Sequence, residues 1–434
     1  MSGVRPGAIV TSSSVRPASL GTVTDYSRTP DYTATGVHRV VQPLGAAPTD
    51  VRAETATSMG LAAPTPRAGA RRSGAGRVLL GVIGFTVVGL VSLFVIAYLV
   101  SGLGATSVIV AAILALVPLG IVFWGVRWID RWEPEPRLAL TFAFLWGAGA
   151  SVFIALAVDA EIQTIVAAAG GPGASAEFLG AAVQAPIVEE VAKGLGVLIL
   201  FLAVRRRFDG PVDGIVYAAV VAGGFAFTEN ILYFGVAFVD GGPLGETFFV
   251  RGLMSPFAHV MFTAAIGLAL GFAARRGARF PLVAFLVGLI PAIALHAFWN
   301  GALFFVGDFF GYYLLVQVPM FVIAVAIVAL LRAQEGRIIG ERLGEYAAVG
   351  WFHPQEVAML ASRSGRRTAE RWARSAGLGP TMHGFIRDAT LLAYARQRIV
   401  GGRDQIGAQL DEAELLQRVS AARHALAAPG VRTQ

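Results

Sequence analysis

From Arg77 onward the chain alternates long apolar blocks with short polar joints. Eight blocks stand out, at residues 78–100, 107–125, 138–158, 178–204, 214–239, 248–274, 280–306 and 312–331. About 20 apolar residues in a helix cross the hydrocarbon core of a bilayer. The pattern therefore predicts an all-α polytopic membrane protein with about eight transmembrane helices. Residues 1–70 hold no apolar run and are rich in Pro, Ser, Thr, Ala and Gly, as in TSSSVRPAS. Such a segment cannot bury enough apolar surface to fold and reads as a disordered cytoplasmic arm. Beyond Leu331 the chain turns polar, and residues 333–434 read as short amphipathic helices broken at Pro354 and near Gly377 and Gly401. Three parts follow: the arm at 1–70, an eight-helix membrane domain at 77–332, and a small helical cytoplasmic domain at 333–434.

Composition agrees with this division. The chain is 55% hydrophobic and only 15% charged, which is outside the range of a soluble domain. It has no cysteine, which excludes disulfides, thiolate nucleophiles and cysteine-ligated zinc. A net charge of +7 taken alone would suggest nucleic acid. The arginines instead cluster at alternate joints: Arg71, Arg72 and Arg77; Arg127, Arg131 and Arg137; Arg205, Arg206 and Arg207; Arg275, Arg276 and Arg279; Arg332 and Arg337. The opposite joints carry only Arg251. This is the positive-inside pattern, so the expected partner is the lipid bilayer and not nucleic acid. It places both termini in the cytoplasm of a multi-pass protein of the bacterial plasma membrane.

Against that background a few polar residues inside the spans carry the chemistry. The stretch QAPIVEEVAKGLG places Glu189, Glu190 and Lys193 within one apolar block, and Lys193 is the only lysine in the chain. Ionisable groups in a span cost several kcal/mol each unless they are paired or face water. A helix sets Lys193 one turn from both glutamates, so it can pair with one carboxylate while the other faces a cavity. The later spans carry FTEN with Glu229 and Asn230, SPFAHVMFT with Ser255, His259 and Thr263, and HAFWN with His296 and Asn300. Glu190, Glu229, His259 and His296 each lie roughly 15–17 residues from the arginine-bearing end of their span. Four rare polar groups thus share one layer, in the outer half of the membrane. One shared site explains that coincidence better than four separate packing contacts.

Two chemistries fit such a layer. A desolvated glutamate can act as general base on water while imidazoles and Asn300 stabilise an oxyanion. Alternatively Glu229, His259 and His296 can hold a divalent metal such as zinc, a glutamate-and-two-histidine set with an open position. Both lead to peptide hydrolysis by an activated water. The sequence holds no HExxH, GxGD or GxSG, so zincin, aspartyl and serine mechanisms are not supported. The joint DRWEPEP, residues 130–136, reads from composition alone as a rigid turn at the headgroup level.

The order EExxK at Glu189–Lys193, FxxxEN at Phe225–Asn230, His259, and HxxxN at His296–Asn300, with DRWEPEP before them, resembles the PrsW family of intramembrane proteases. That family is distantly related to type II CAAX prenyl proteases and bacteriocin-processing enzymes. The resemblance covers roughly residues 127–331. It implies an endopeptidase that makes the first cut in a membrane-anchored anti-sigma factor, so the implied substrate is a single-span membrane protein. It implies catalytic carboxylates at Glu189 and Glu190, with Glu229, His259 and His296 completing the site. Lys193 and Asn300 fall inside the same motifs. A proton-coupled transporter also buries Glu, Lys and His at one depth, and a non-catalytic membrane sensor or scaffold is the third class that fits. A transporter usually shows internal repeats, and EExxK has no second copy here.

Overall fold

The computed structural model describes residues 74–427, apart from 169–170, 172, 206–207 and 278–279. The expected arm at 1–70 and the arginines Arg71, Arg72, Arg206, Arg207 and Arg279 lie outside the described residues. Every described element is helical. In chain order we label α1 (Gly74–Leu103), α2 (Ala105–Ile129), α3 (Arg137–Ala168), α4 (residues 174–203), α5 (Pro211–Val239), α6 (Leu244–Arg275), α7 (Pro281–Ala302) and α8 (Phe309–Ala348). Four shorter helices follow: α9 (Pro354–Leu360), α10 (Arg363–Ser375), α11 (Gly379–Val400) and α12 (Gln405–Ala427). Seven of the first eight are long and apolar enough to cross a membrane. The remaining one, α4, is the helix that carries Glu189, Glu190 and Lys193.

The centre of the membrane part is α5. Most of its residues are buried, from Pro211 through Phe225 without a break. Such burial on every side requires neighbours to approach closely, and glycine permits it. A Cβ on Gly214 would sit 2.0 Å from the carbonyl oxygen of Gly267 on α6, and one on Gly267 would sit 2.1 Å from that of Gly214. On the other flank, a Cβ on Gly224 would lie 2.3 Å from the carbonyl oxygen of Phe144 on α3. Around α5 one apolar core gathers Val122 of α2, Ala143 of α3, Phe201 of α4, Ile266 of α6 and Phe285 of α7. The start of α5 is fixed by its own sequence. Pro211 suits the first helical turn, and the Asp213 carboxylate accepts from the backbone N–H of Asp209 at 2.6 Å and of Gly210 at 2.9 Å.

Beyond the apolar part, α8 does not end at Leu331. It continues unbroken to Ala348: no proline follows Leu331 in this stretch, and Gly340 and Gly344 stay inside the helix. Its polar half presents Ile339 and Leu343 to a second core built with Phe385 and Leu392 of α11. Trp132 of the DRWEPEP joint belongs to this second core. That corrects the reading of the joint as a simple turn: it is a connector driven into the helical bundle. Asp130 accepts from the Glu135 backbone N–H at 3.1 Å, and Tyr217 of α5 donates to Glu135 at 2.6 Å. The buried Arg366 of α10 stacks over the Trp132 ring and donates to the carbonyls of Leu360 and Trp132 and to Thr390. Asp209, just ahead of α5, pairs with Arg398 of α11 at 3.1 Å and with Arg403 at 3.7 Å.

Candidate active site

Four helices meet at one level beside the upper part of α5. From α4 come Glu189, Glu190 and Lys193; from α5, Glu229 and Asn230; from α6, His259 and Thr263; from α7, His296 and Asn300. Two irregular turns shape the approach. A π-helical turn at Gly180–Gln184 precedes the α4 glutamates, and a second at Phe248–Met254 precedes His259. Such turns free backbone groups from the helical ladder. The carbonyl of Ala181 in the first is taken by Asn300, which donates from Nδ2 at 3.0 Å. In this structure Asn300 therefore fastens α7 to α4 rather than pointing at the carboxylates.

The interior half of the site is dry and fully occupied. Glu190, Lys193 and Thr263 are each 0% exposed, and His296 is 2% exposed. Lys193 Nζ lies 2.6 Å from Glu190 Oε1, and His296 Nδ1 lies 3.0 Å from the same oxygen. Thr263 donates to Glu190 Oε2 at 2.8 Å. Both oxygens of Glu190 are thus held by donors, as a buried carboxylate requires. The Lys193 ammonium also sits 4.4 Å from the centre of the Phe225 ring, and Phe262 stacks on His296.

The other half opens outward. Side-chain exposure is 13% for Glu189, 14% for His259, 17% for Glu229 and 27% for Arg251. Glu229 Oε2 forms ion-pair contacts with Arg251 Nη2 at 2.7 Å and with His259 Nε2 at 2.8 Å. Arg251 also donates to Asn230 at 3.2 Å and lies over the Tyr233 ring. From sequence alone Arg251 has no place in the site, and Thr263 counts among the polar residues of its span without a role. An arginine at the end of a span looks like a topology signal, and a threonine in an apolar helix looks like packing. One cue was available for Thr263, its one-turn spacing from His259.

The partners assign the imidazole protons. His259 Nε2–H donates to Glu229, while its Nδ1 accepts from Lys193 at 3.1 Å. His296 Nδ1–H donates to Glu190, which leaves its Nε2 as a lone pair. Glu189 Oε2 lies 4.0 Å from His259 Nδ1 and 3.9 Å from His296 Nε2. Carboxylates beside the other ring nitrogens, Glu229 at His259 and Glu190 at His296, are the usual support for a metal-binding histidine pair.

Among the described residues, Glu189, His259 and His296 form a group whose donor atoms all lie within 4.8 Å of one another. A tetrahedral ion with bonds of about 2.0–2.1 Å wants donors roughly 3.3 Å apart. The observed spacing is therefore slightly wide, and Lys193 would have to yield the His259 lone pair. The donor types fit. The geometry points to Glu189, rather than Glu229, as the carboxylate of such a set, because Glu229 is engaged by Arg251 and by the outer nitrogen of His259.

Comparison with known proteins agrees with this arrangement. Residues 135–327 match the family model described as "PrsW family intramembrane metalloprotease", a span that contains every residue of the site. The chain is 30% identical to Protease PrsW of Geobacillus kaustophilus over 54% of this chain and 90% of that protein. It is 34% identical to Protease PrsW of Clostridioides difficile, over 36% of this chain and 62% of the relative. It is 31% identical to Protease PrsW of Oceanobacillus iheyensis, over 37% of this chain and 71% of the relative. No solved structure matches the chain significantly. With a relative matched over nine-tenths of its length and the four motif helices folded onto one site, the chain belongs to the PrsW family of intramembrane metalloproteases.

Proposed function

We propose that this protein is an endopeptidase of the bacterial plasma membrane that hydrolyses a single-span membrane protein, of the anti-sigma-factor type, as the first cut in its release. Both termini are taken to face the cytoplasm, on the arginine-bearing side. The observation that carries the reading is the Glu189 carboxylate, partly open and lying 4.0 Å from a nitrogen of His259 and 3.9 Å from a nitrogen of His296. Glu190 is unsuited to the same task because Lys193, His296 and Thr263 already occupy both its oxygens.

In this reading Glu189 accepts a proton from the attacking water and returns one to the leaving amine. Glu229 and Glu190 hold His259 and His296 in orientation through their outer nitrogens. Lys193, in contact with both α4 carboxylates, holds them in orientation. Arg251 holds Glu229 and so sets the outer edge of the site. If Glu189, His259 and His296 instead hold a divalent metal, Glu189 would act as a ligand rather than as the base, and the metal would supply Lewis-acid polarisation of the scissile carbonyl and a more acidic water.

The test is cleavage of a co-expressed single-span substrate by the wild-type chain and by Glu189→Gln. The expected loss is about 100-fold or more, the range for removing a general base, with the variant still inserted and folded. Near-wild-type cleavage by Glu189→Gln would sink the assignment. Elemental analysis of the purified protein tests the metal separately. About one equivalent is expected in the wild type, falling in both His259→Ala and His296→Ala.

A further inference from the structure

A second site lies away from the first, where α8 leaves the apolar layer. A cavity of about 710 Å³ opens between the end of α2, the middle of α8 and the start of α10. Its lining includes Trp128, Trp132, Arg332, Arg337 and Arg363, with Glu341 the one acidic member. Arg332 is 0% exposed, and none of its three guanidinium nitrogens has a hydrogen-bond partner. One face of the guanidinium lies 4.2 Å from the Trp128 ring, which leaves the N–H edges uncommitted. The contrast with Arg366 is informative. That arginine, also buried and stacked over Trp132, places its guanidinium on three oxygen acceptors. A buried guanidinium with no acceptor at all is an incomplete arrangement, and an anion completes it.

The surroundings say which anion. Arg332 follows Leu331 directly, at the end of the apolar stretch of α8. Just above it Leu330 is 68% exposed, and Trp124 on α2 is 72% exposed. Side chains of that kind left bare on a membrane helix face acyl chains. The cavity thus has an apolar approach on the membrane side and three arginines beneath it. We propose that this cavity binds the phosphate headgroup of an anionic phospholipid, with Arg332 and Arg363 on the phosphate and the acyl chains lying along Leu330 and Trp124. A small swing of the Arg332 guanidinium on its Trp128 stack brings its fork of N–H donors to the phosphate oxygens. The same phosphate chemistry occurs in soluble ligands, so the experiment separates the two sources.

The full chain is purified in a neutral detergent and titrated with phosphatidylglycerol, phosphatidylcholine and inorganic phosphate. Binding is read by native mass spectrometry and by thermal shift. The wild type should hold one phosphatidylglycerol at least tenfold more tightly than phosphatidylcholine, and millimolar phosphate should not displace it. Arg332→Gln should abolish that preference. Arg363→Gln should weaken it several-fold, and Ala333→Trp should block binding from the exposed face of α8 while leaving every arginine in place. These last two keep the test decisive if Arg332→Gln does not fold. Equal affinity for the two lipids would overturn the proposal, as would an unchanged preference in both Arg363→Gln and Ala333→Trp. Protection by inorganic phosphate with none by phosphatidylglycerol would assign the cavity to a soluble ligand and overturn the lipid reading.

Discussion

Replacing Lys193 by methionine removes a buried cation from between two carboxylates and tests how the site is held together. The ammonium contacts Glu190 at 2.6 Å, His259 Nδ1 at 3.1 Å and Glu189 at 3.4 Å. Breaking a buried ion pair by removing one partner costs about 3–5 kcal/mol, mostly because the other charge is stranded. Glu190 would keep His296 and Thr263, so the lower end, about 3 kcal/mol, is expected for Lys193→Met. If the stranded charge is the cause, neutralising it restores part of the loss. Lys193→Met combined with Glu190→Gln should therefore be more stable than the sum of the single changes predicts, by about 2 kcal/mol. Unfolding of the detergent-solubilised protein, followed by heat or by denaturant in mixed micelles, supplies the four corners of this cycle. Activity gives a second reading, since Lys193→Met also takes the donor from His259 and should impair cleavage in either background. Additivity within about 0.5 kcal/mol would show that Lys193 and Glu190 are energetically independent. The hydrogen-bonded network described for the dry half of the site would then be wrong.

Three further expectations are open to measurement. Gly267→Val should destabilise the protein by at least about 3 kcal/mol, within the upper range for point substitutions, because a Cβ there lies 2.1 Å from the Gly214 carbonyl oxygen; a stable, active variant would refute the close α5–α6 approach. Burial pushes the Asp130 carboxyl from 3.8 up to about 7, so the folded protein keeps a proton that the unfolded chain loses, and stability should fall as pH rises across that window. Thermal melts from pH 4 to 8 should show this slope shrinking in Asp130→Asn, and an unchanged slope would assign it elsewhere. Mass spectrometry of the fragments from a substrate of known topology should place the cut near the outer end of its span, since the site lies roughly 23–26 Å from the arginine-bearing face. A cut in the cytoplasmic third would contradict the proposed orientation.

Much of the membrane part was legible because lipid tolerates long uninterrupted apolar helices, which write themselves into the sequence as blocks. The convergence of α4, α5, α6 and α7 was legible for the complementary reason: Glu189, Glu190, Lys193, Glu229, His259 and His296 are costly in apolar surroundings and so are rare. The end of α8 was not. Hydropathy changes at Leu331, but helicity does not, because the polar residues that follow still form helix readily, no proline interrupts them, and Gly336, Gly340 and Gly344 are carried inside the helix. Which carboxylate faces the two imidazoles was also beyond the sequence. Glu189 and Glu229 stand at similar depths, and the choice depends on Arg251, whose side chain engages Glu229 from the middle of a π-helical turn.

The DRWEPEP connector has a practical consequence for the whole molecule. Trp132 lies in the core of the bundle, while Glu135, three residues later, is bonded to Tyr217 in the heart of α5. Arg398 and Arg403 grip Asp209, two residues before α5. A chain cut after Leu331 would therefore lose more than a soluble appendage. It would bare the indole of Trp132, leave Asp209 without either cation, and remove the scaffold that steadies the near end of the helix bearing Glu229. The far end of that helix, about 30 Å away by its rise per residue, is where the candidate chemistry sits. Shortened versions of this protein should thus fail as folded objects before they fail as enzymes, and loss of cleavage in them says nothing about a regulatory role for the bundle.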